Sequence, residues 1–228
     1  MEIAHRFEWS PEKRCPYGTI RDVFGQSVVS GLMAHVTERE SAFKRGLVRS
    51  RQSGERRLDP SRRDSFFLID VGPFRPAIEA VVREIAPLAL ERLGLVEPAV
   101  EAREFEFACY SDGSHFKTHV DTSERLQRVR VLSCVYYFSE KPRRFSGGEL
   151  RLYGFPDPFR KAPGPVVDVV PEPDKLVIFP SLLEHEVLPV HVPSKAWSDC
   201  RFTINCWIHR AGVQLSADEA AAAPATAM

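Results

Sequence analysis

The chain carries no net charge: 31 lysines and arginines balance 31 aspartates and glutamates over 228 residues. Domains that grip nucleic-acid phosphates are usually strongly basic, so no nucleic-acid partner is expected. Long apolar runs are also missing. Nothing approaches the ~20 residues needed to span a bilayer, and the opening MEIAHRFEWSPEKRC has no apolar signal-type core, so no membrane association is expected. Cysteine is sparse and unpatterned. Cys15, Cys109, Cys134, Cys200 and Cys206 are odd in number and form no Cys-x-x-Cys, which fits buried free thiols in a reducing, cytoplasmic setting. Internal repeats are absent as well.

What is present describes an ordinary globular chain, 43% hydrophobic and 27% charged. A chain of this length buries roughly 70% of its unfolded surface and needs no cross-link to stay folded. GQSVVSGLMAHVTERE places Val28, Val29, Leu32, Met33 and Val36 on one helical stripe. PFRPAIEAVVREIAPLALERLG repeats the stripe through Ile78, Val82, Ile85, Ala89 and Leu93, with Pro87 a candidate kink and Gly94 a stop. Between them, residues 49–64 are arginine-rich and read as a solvated loop, a lid, or a dock for an acidic peptide. From residue 101 the pattern changes to short strands at 101–110, 115–121, 129–138, 148–153, 165–170, 174–180, 185–191 and 200–209, separated by turns rich in proline and glycine. The expected organisation is a helical and loop-like support region over 1–100, a β core over 101–210, and a frayed, low-complexity tail over 211–228, all in one domain.

The chemistry concentrates in Ser114-His-Phe-Lys-Thr-His-Val-Asp-Thr122. Strand alternation would put His115, Lys117, His119 and Asp121 on one face, opposite Phe116, Thr118 and Val120. His-x-Asp by itself is weak, since an exposed polar strand face gives the same pattern. A facial triad of two imidazoles and one carboxylate leaves adjacent positions open on an iron ion. His119 and Asp121 supply two of those groups, and His185, in FPSLLEHEVLPV, offers the third. CRFTINCWIH alternates Arg201, Thr203, Asn205 and Trp207 against Phe202, Ile204, Cys206 and Ile208. An arginine leading a buried strand is costly without an anionic partner, and a dicarboxylate held by the guanidinium fork would be one. In VLSCVYYF, Tyr137 shares a face with Val131, Ser133 and Val135. Gly147 and Gly148 read as a tight turn or bulge.

These segments, in this order (Tyr110…His119-Val-Asp121, CVYYFSE, SGGELRLY, DKLVIFPSLLEHEVLPV and RFTINCWIH), resemble the 2-oxoglutarate- and Fe(II)-dependent dioxygenases of the prolyl-hydroxylase type over about residues 100–210. The resemblance implies a mainly β (α+β) double-stranded β-helix, or jelly-roll, with N-terminal bracing helices. It implies His119, Asp121 and His185 as iron ligands, and Arg201 with Tyr137 on the distal carboxylate of 2-oxoglutarate. Tyr110 would lie near the cosubstrate or the substrate entrance, Asn205 against the cosubstrate, and Arg130 is a weaker candidate for substrate contact. The implied cofactors are Fe(II) and 2-oxoglutarate, with ascorbate a candidate reductant and O2 the oxidant. The implied reaction is hydroxylation of an unactivated C–H bond, with proline, peptidyl or free, as the substrate the family suggests. A small metabolite stands as an alternative primary substrate, and a catalytically silent sensor as a third reading.

Overall fold

The computed structural model describes residues 3–49, 56–95, 99–122 and 129–212. All eight segments expected as strands carry one: Val100–Tyr110, His115–His119, Arg130–Phe138, Leu150–Tyr153, Val166–Val169, Lys175–Pro180, Glu184–Val187 and Arg201–Arg210. The segment expected over 185–191 ends in a separate short strand, Val190–His191, paired with Ser146–Gly147.

Two antiparallel sheets face each other. The larger runs, in order, Glu8–Trp9, Gly18–Arg21, Lys175–Pro180, Arg130–Phe138, Arg201–Arg210, Val100–Tyr110, Phe66–Leu68 and Lys44–Arg45. The smaller runs Val166–Val169, Leu150–Tyr153, Glu184–Val187, His115–His119 and Arg63–Asp64. This is the double-stranded β-helix arrangement. The central strands of the larger sheet show why. Phe105, Phe107 and Cys109, Leu132, Cys134, Tyr136 and Phe138, and Ile204, Cys206 and Ile208 alternate onto one face and are all buried.

That apolar face is covered by two helices, α1 (Gln26–Glu38) and α2 (Arg75–Arg92). Helix α1 contributes Val29, Leu32, Met33 and Val36 to the shared core, and α2 contributes Ile78, Val81, Val82, Ile85, Ala86, Ala89 and Leu90. Each fully buried aliphatic side chain of this size is worth about 1.5–3 kcal/mol, which seats the helices firmly. Helix α1 lacks a side-chain cap of its own. Buried Asp174 serves instead, accepting the Phe24 and Gly25 N–H groups at 2.9 and 2.7 Å while also accepting from the Tyr136 hydroxyl at 2.8 Å. Helix α2 runs through Pro87 and stops where expected. Gly94 adopts φ +66°, Leu95 N–H reaches the Leu90 carbonyl at 2.9 Å and Gly94 N–H the Glu91 carbonyl at 3.0 Å, a Schellman closure that glycine permits.

The first hundred residues are not only a brace. Glu8–Trp9, Gly18–Arg21, Lys44–Arg45 and Phe66–Leu68 extend the larger sheet, and Arg63–Asp64 edges the smaller one. The arginine-rich stretch therefore departs from a free loop. Arg56–Arg57 pairs with Val48–Arg49, and Arg63 pairs with Phe116. Two-residue strands are too short for a readable alternation, so the sequence pattern hid them. Of that stretch, Arg51 lies outside the described residues, as does the tail from residue 213.

Candidate active site

The opposite face of the larger sheet looks into a cavity of about 250 Å³ between the two sheets. His119, Asp121 and His185 line it from one side, and Tyr110, Thr203, Asn205, Trp207 and Arg201 from the other.

His119 and His185 are directly opposed across an antiparallel pair. Opposed residues on one face have Cβ atoms ~5 Å apart, and here the ring centroids lie 4.2 Å apart. Asp121 follows two residues after His119, its N–H bound to the Ser181 carbonyl at 3.0 Å. Its Oδ1 lies 3.8 Å from His119 Nε2 and its Oδ2 3.6 Å from His185 Nε2. One ligand atom from each of the three falls within 4.8 Å of the others. Both imidazoles are oriented in the same way. Nδ1 of His119 lies 2.8 Å from the Lys117 carbonyl and Nδ1 of His185 2.8 Å from the Leu183 carbonyl. With Nδ1–H donating to these carbonyls, Nε2 keeps its lone pair for a metal. Burial, reinforced by His185, pushes the His119 pKa down and keeps the ring neutral. Burial opposes ionisation of Asp121, but His185, His119 and the Ser133 hydroxyl outweigh it and hold the carboxylate charged. Two imidazoles and one carboxylate form a donor set suited to Fe(II).

The face partition expected for the His115–His119 strand does not hold. Phe116 pairs with Val187 and His119 with His185, so Lys117 and Thr118 together oppose Glu186. This is a β-bulge, which brings residues 116 and 119 to the same face. Phe116 stacks on His119 with centroids 3.6 Å apart and planes at 15°, and both line the cavity. Lys117 is exposed, while His115 Nε2 lies 3.3 Å from the Ser61 carbonyl. Neither belongs to the metal face.

Arg201 is 1% exposed, and its Nε donates to the Gly148 carbonyl at 2.7 Å. Its guanidinium carbon lies 4.8 Å from the Tyr110 ring centroid and 5.0 Å from that of Tyr137. No carboxylate pairs with it among the described residues. The Tyr137 hydroxyl is also buried without a hydrogen-bond partner among the described residues, and burial, partly offset by Arg201, pushes its pKa up to about 12, so it stays a donor. An unpaired buried cation beside an orphaned donor is a site built for a carboxylate. Tyr110 forms the floor beside Arg201, and burial raises its pKa too.

Asn205 donates from Nδ2 to Glu106 Oε1 at 3.2 Å and accepts from the Thr203 hydroxyl at 3.1 Å. Arg130 is committed elsewhere. Its Nε donates to Glu104 Oε1 at 2.8 Å, its Nη2 bonds Glu104 Oε2, and its Nη1 reaches the Asp121 carbonyl at 2.8 Å. Burial opposes the Glu104 charge, but hydrogen bonds from His209 and Arg130 outweigh it and lower its pKa. Arg130 thus buttresses the Asp121 turn more than it offers donors to a substrate. Glu106, Arg63 and Phe116 also line the cavity; Glu106 and Phe116 were not singled out as site residues from sequence, and Arg63 was read only as part of the arginine-rich stretch over 49–64. Glu106 was legible in principle, as a charged residue on the same alternate face as Ala108 and Tyr110.

Residues 105–209 match the family model of the 2OG-Fe(II) oxygenase superfamily. The matched stretch is just under half of the chain and takes in His119, Asp121, His185 and Arg201. Over 141 residues it is 31% identical to an uncharacterized PKHD-type hydroxylase of Synechocystis sp., covering 59% of this chain and 46% of that relative. The chain therefore spans about half the length of the curated relative it matches. Its fold is similar to that of a Pseudomonas putida prolyl-4-hydroxylase (TM-score 0.60, 21% identity, 85% of this chain and 92% of that one). It is equally similar to a Trichoplax adhaerens prolyl hydroxylase solved with a hypoxia inducible factor peptide (0.60, 21%, 85% and 83%). The α-ketoglutarate dependent epimerase SnoN of nogalamycin biosynthesis shares the fold at 0.56 and 11% identity, over 90% of this chain and 80% of that one. One fold thus serves different outcomes, and the site must decide.

Proposed function

We propose that this protein hydroxylates an unactivated C–H bond of a proline-containing substrate, free or peptidyl, using Fe(II), 2-oxoglutarate and O2. The observation that carries it is a cavity joining the His119–Asp121–His185 cluster to Arg201, which has no carboxylate partner among the described residues and lies 5.0 Å from the Tyr137 ring. In this reading His119, Asp121 and His185 hold the metal. Arg201 and Tyr137 hold the distal carboxylate of 2-oxoglutarate, with Tyr110 walling that end, while Asn205 faces the bound molecules from the larger sheet. When bound, Fe(II) with 2-oxoglutarate and O2 supplies the oxidation that converts C–H to C–OH, yielding succinate and CO2. The chain orients its donors, keeps water from the Arg201 end, and holds Asp121 through Ser133 and the Arg130 contact. Ascorbate would serve as an accessory reductant. A small metabolite is the second reading, favoured by the cavity's size. The five cysteines are buried free thiols, which supports a reducing, cytoplasmic location. No helix among the described residues is long and apolar enough to cross a membrane.

The test is an anaerobic titration of Fe(II)-loaded protein with 2-oxoglutarate, following the visible charge-transfer band of the chelate. The band should form in the wild type, vanish in His119→Ala, and require at least tenfold more 2-oxoglutarate in Arg201→Ala. Folded, iron-loaded protein without the band would overturn the proposal.

A further inference from the structure

Beside the proposed metal and 2-oxoglutarate positions, the cavity wall holds a pair of opposite charges that neither position uses. Glu106, on the Val100–Tyr110 strand, is 5% exposed and faces the cavity. Arg63 Nη2, from the edge strand of the smaller sheet, lies 3.7 Å from Glu106 Oε1. That is longer than a closed N–H···O bond, so the pair is adjacent without being locked. Arg63 is otherwise held in place, its Nε donating to the Ser65 hydroxyl at 2.8 Å and its guanidinium lying over Phe116 at 4.8 Å. Among the described residues Glu106 receives one hydrogen bond, from Asn205, although a carboxylate can accept about four. On the same wall Trp207 lines the cavity, and its indole N–H has no partner among the described residues.

Register puts this wall close to the metal cluster. Glu106 opposes Asn205, Asn205 opposes Val135, and Ser133, the next residue on that face, bonds Asp121 at 2.7 Å. Resting on the oxygenase reading above, we infer that the primary substrate is a free α-amino acid, bound as its zwitterion with the ammonium on Glu106 and the carboxylate on Arg63. An α-amino acid carries its two charges on groups attached to one carbon, which an adjacent anion and cation complement in antiparallel fashion. The ammonium brings two donors in free proline, and three in a primary amino acid, to the under-used Glu106. A prolyl residue inside a peptide brings none, because its nitrogen is a tertiary amide with neither charge nor N–H, and its carbonyl leaves Arg63 without an anion. Size points the same way. Ligand pockets commonly run ~300–1,000 Å³. A space of about 250 Å³ suits 2-oxoglutarate and one small molecule better than an inserted peptide segment.

The test is calorimetric binding to Mn(II)-loaded protein saturated with 2-oxoglutarate, which needs no turnover. The probes are the twenty standard amino acids, then the best of them with its amine acetylated, with its carboxylate amidated, and with both blocked as in a peptide. The inference expects a free amino acid to bind and each single block to weaken it tenfold or more. Glu106→Gln should weaken the free form at least tenfold while the doubly blocked form is unaffected. Tighter binding of the doubly blocked form, equal binding of free and blocked forms, or no amino acid bound by protein that takes up 2-oxoglutarate would each overturn it and leave Arg63–Glu106 a structural ion pair. Failure to bind 2-oxoglutarate itself is a separate result, and it would remove the oxygenase reading. The ligand comparison is made on wild-type protein, so it stands even where Glu106→Gln folds poorly.

Discussion

Gly148 and Arg201 are fitted to each other. The Gly148 carbonyl accepts from Arg201 Nε at 2.7 Å, and a Cβ on residue 148 would lie 2.6 Å from Arg201 Cδ. Its φ of +70° is a conformation that L residues rarely adopt. The glycine pair expected to make a tight turn or bulge therefore also shapes the Arg201 end of the cavity. Gly147, also at φ +70°, would bring a Cβ within 2.3 Å of the Pro189 carbonyl oxygen.

Gly148→Ala should displace the Arg201 guanidinium while leaving the metal cluster in place. The expected outcome is a rise in the 2-oxoglutarate dissociation constant of about tenfold, equivalent to ~1.4 kcal/mol, with metal affinity within twofold of wild type. Parallel titrations of metal and cosubstrate check it.

Phe116 should set the orientation of His119 through their stacked rings. Groups that orient a metal ligand typically contribute ~10–100-fold to metal affinity. Phe116→Leu should weaken Fe(II) or Mn(II) binding about tenfold without unfolding the protein. Competition against a chelator measures the first, and a thermal melt the second.

The Arg130–Glu104 pair is buried on both sides, with side chains 9% and 6% exposed. Removing one member of such a pair leaves a buried charge uncompensated, at a cost of about 3–5 kcal/mol. Arg130→Met should lower the melting temperature sharply, and the double change Arg130→Met, Glu104→Leu should recover much of the loss. A double-mutant cycle by denaturant unfolding gives the coupling.

His35 predicts the direction of an acid effect. It packs against Phe74 and Phe107, and its Nε2 is buried without a partner among the described residues. Burial, then Arg39, lowers its pKa, against smaller opposing effects of Asp70 and Glu38. Its unfolded value is ~6.5, so the unfolded chain takes up the proton first. The stability from neutral His35 is complete above that value and is lost as pH falls through the lowered folded value. His35→Leu should flatten the stability profile of the metal-free protein below pH ~6.5, measured by urea unfolding across pH. An unchanged slope would remove His35 as a contributor.

Much of the β core was readable because long strands announce themselves. Eight or nine residues of alternation in VLSCVYYF and RFTINCWIH specify which side chains share a face, and Tyr137, Ser133, Arg201 and Asn205 do share one. The short N-terminal strands were not readable, because so few residues carry no period and much of their pairing is with partners distant in sequence, as for Arg63 with Phe116 and Gly18 with Ile178. The bulge was hidden for a related reason. Nothing in HFKTH states that two of its residues oppose one on another strand, yet that mismatch turns Phe116 onto His119 and sends Lys117 to solvent.

The sequence by itself determined the local terms: the two helical stripes, the alternating strands, the stop at Gly94, and the presence of two histidines, an aspartate and an arginine in positions a metal and a dicarboxylate could use. Only the tertiary structure decided how these terms meet. It set His119 against His185, left Arg201 and Tyr137 unpaired, spent Arg130 on Glu104, and brought Arg63 beside Glu106 in the same cavity. Spacing along the chain constrains neighbours within one element, whereas register between strands distant in sequence is set by the burial of both sheets at once.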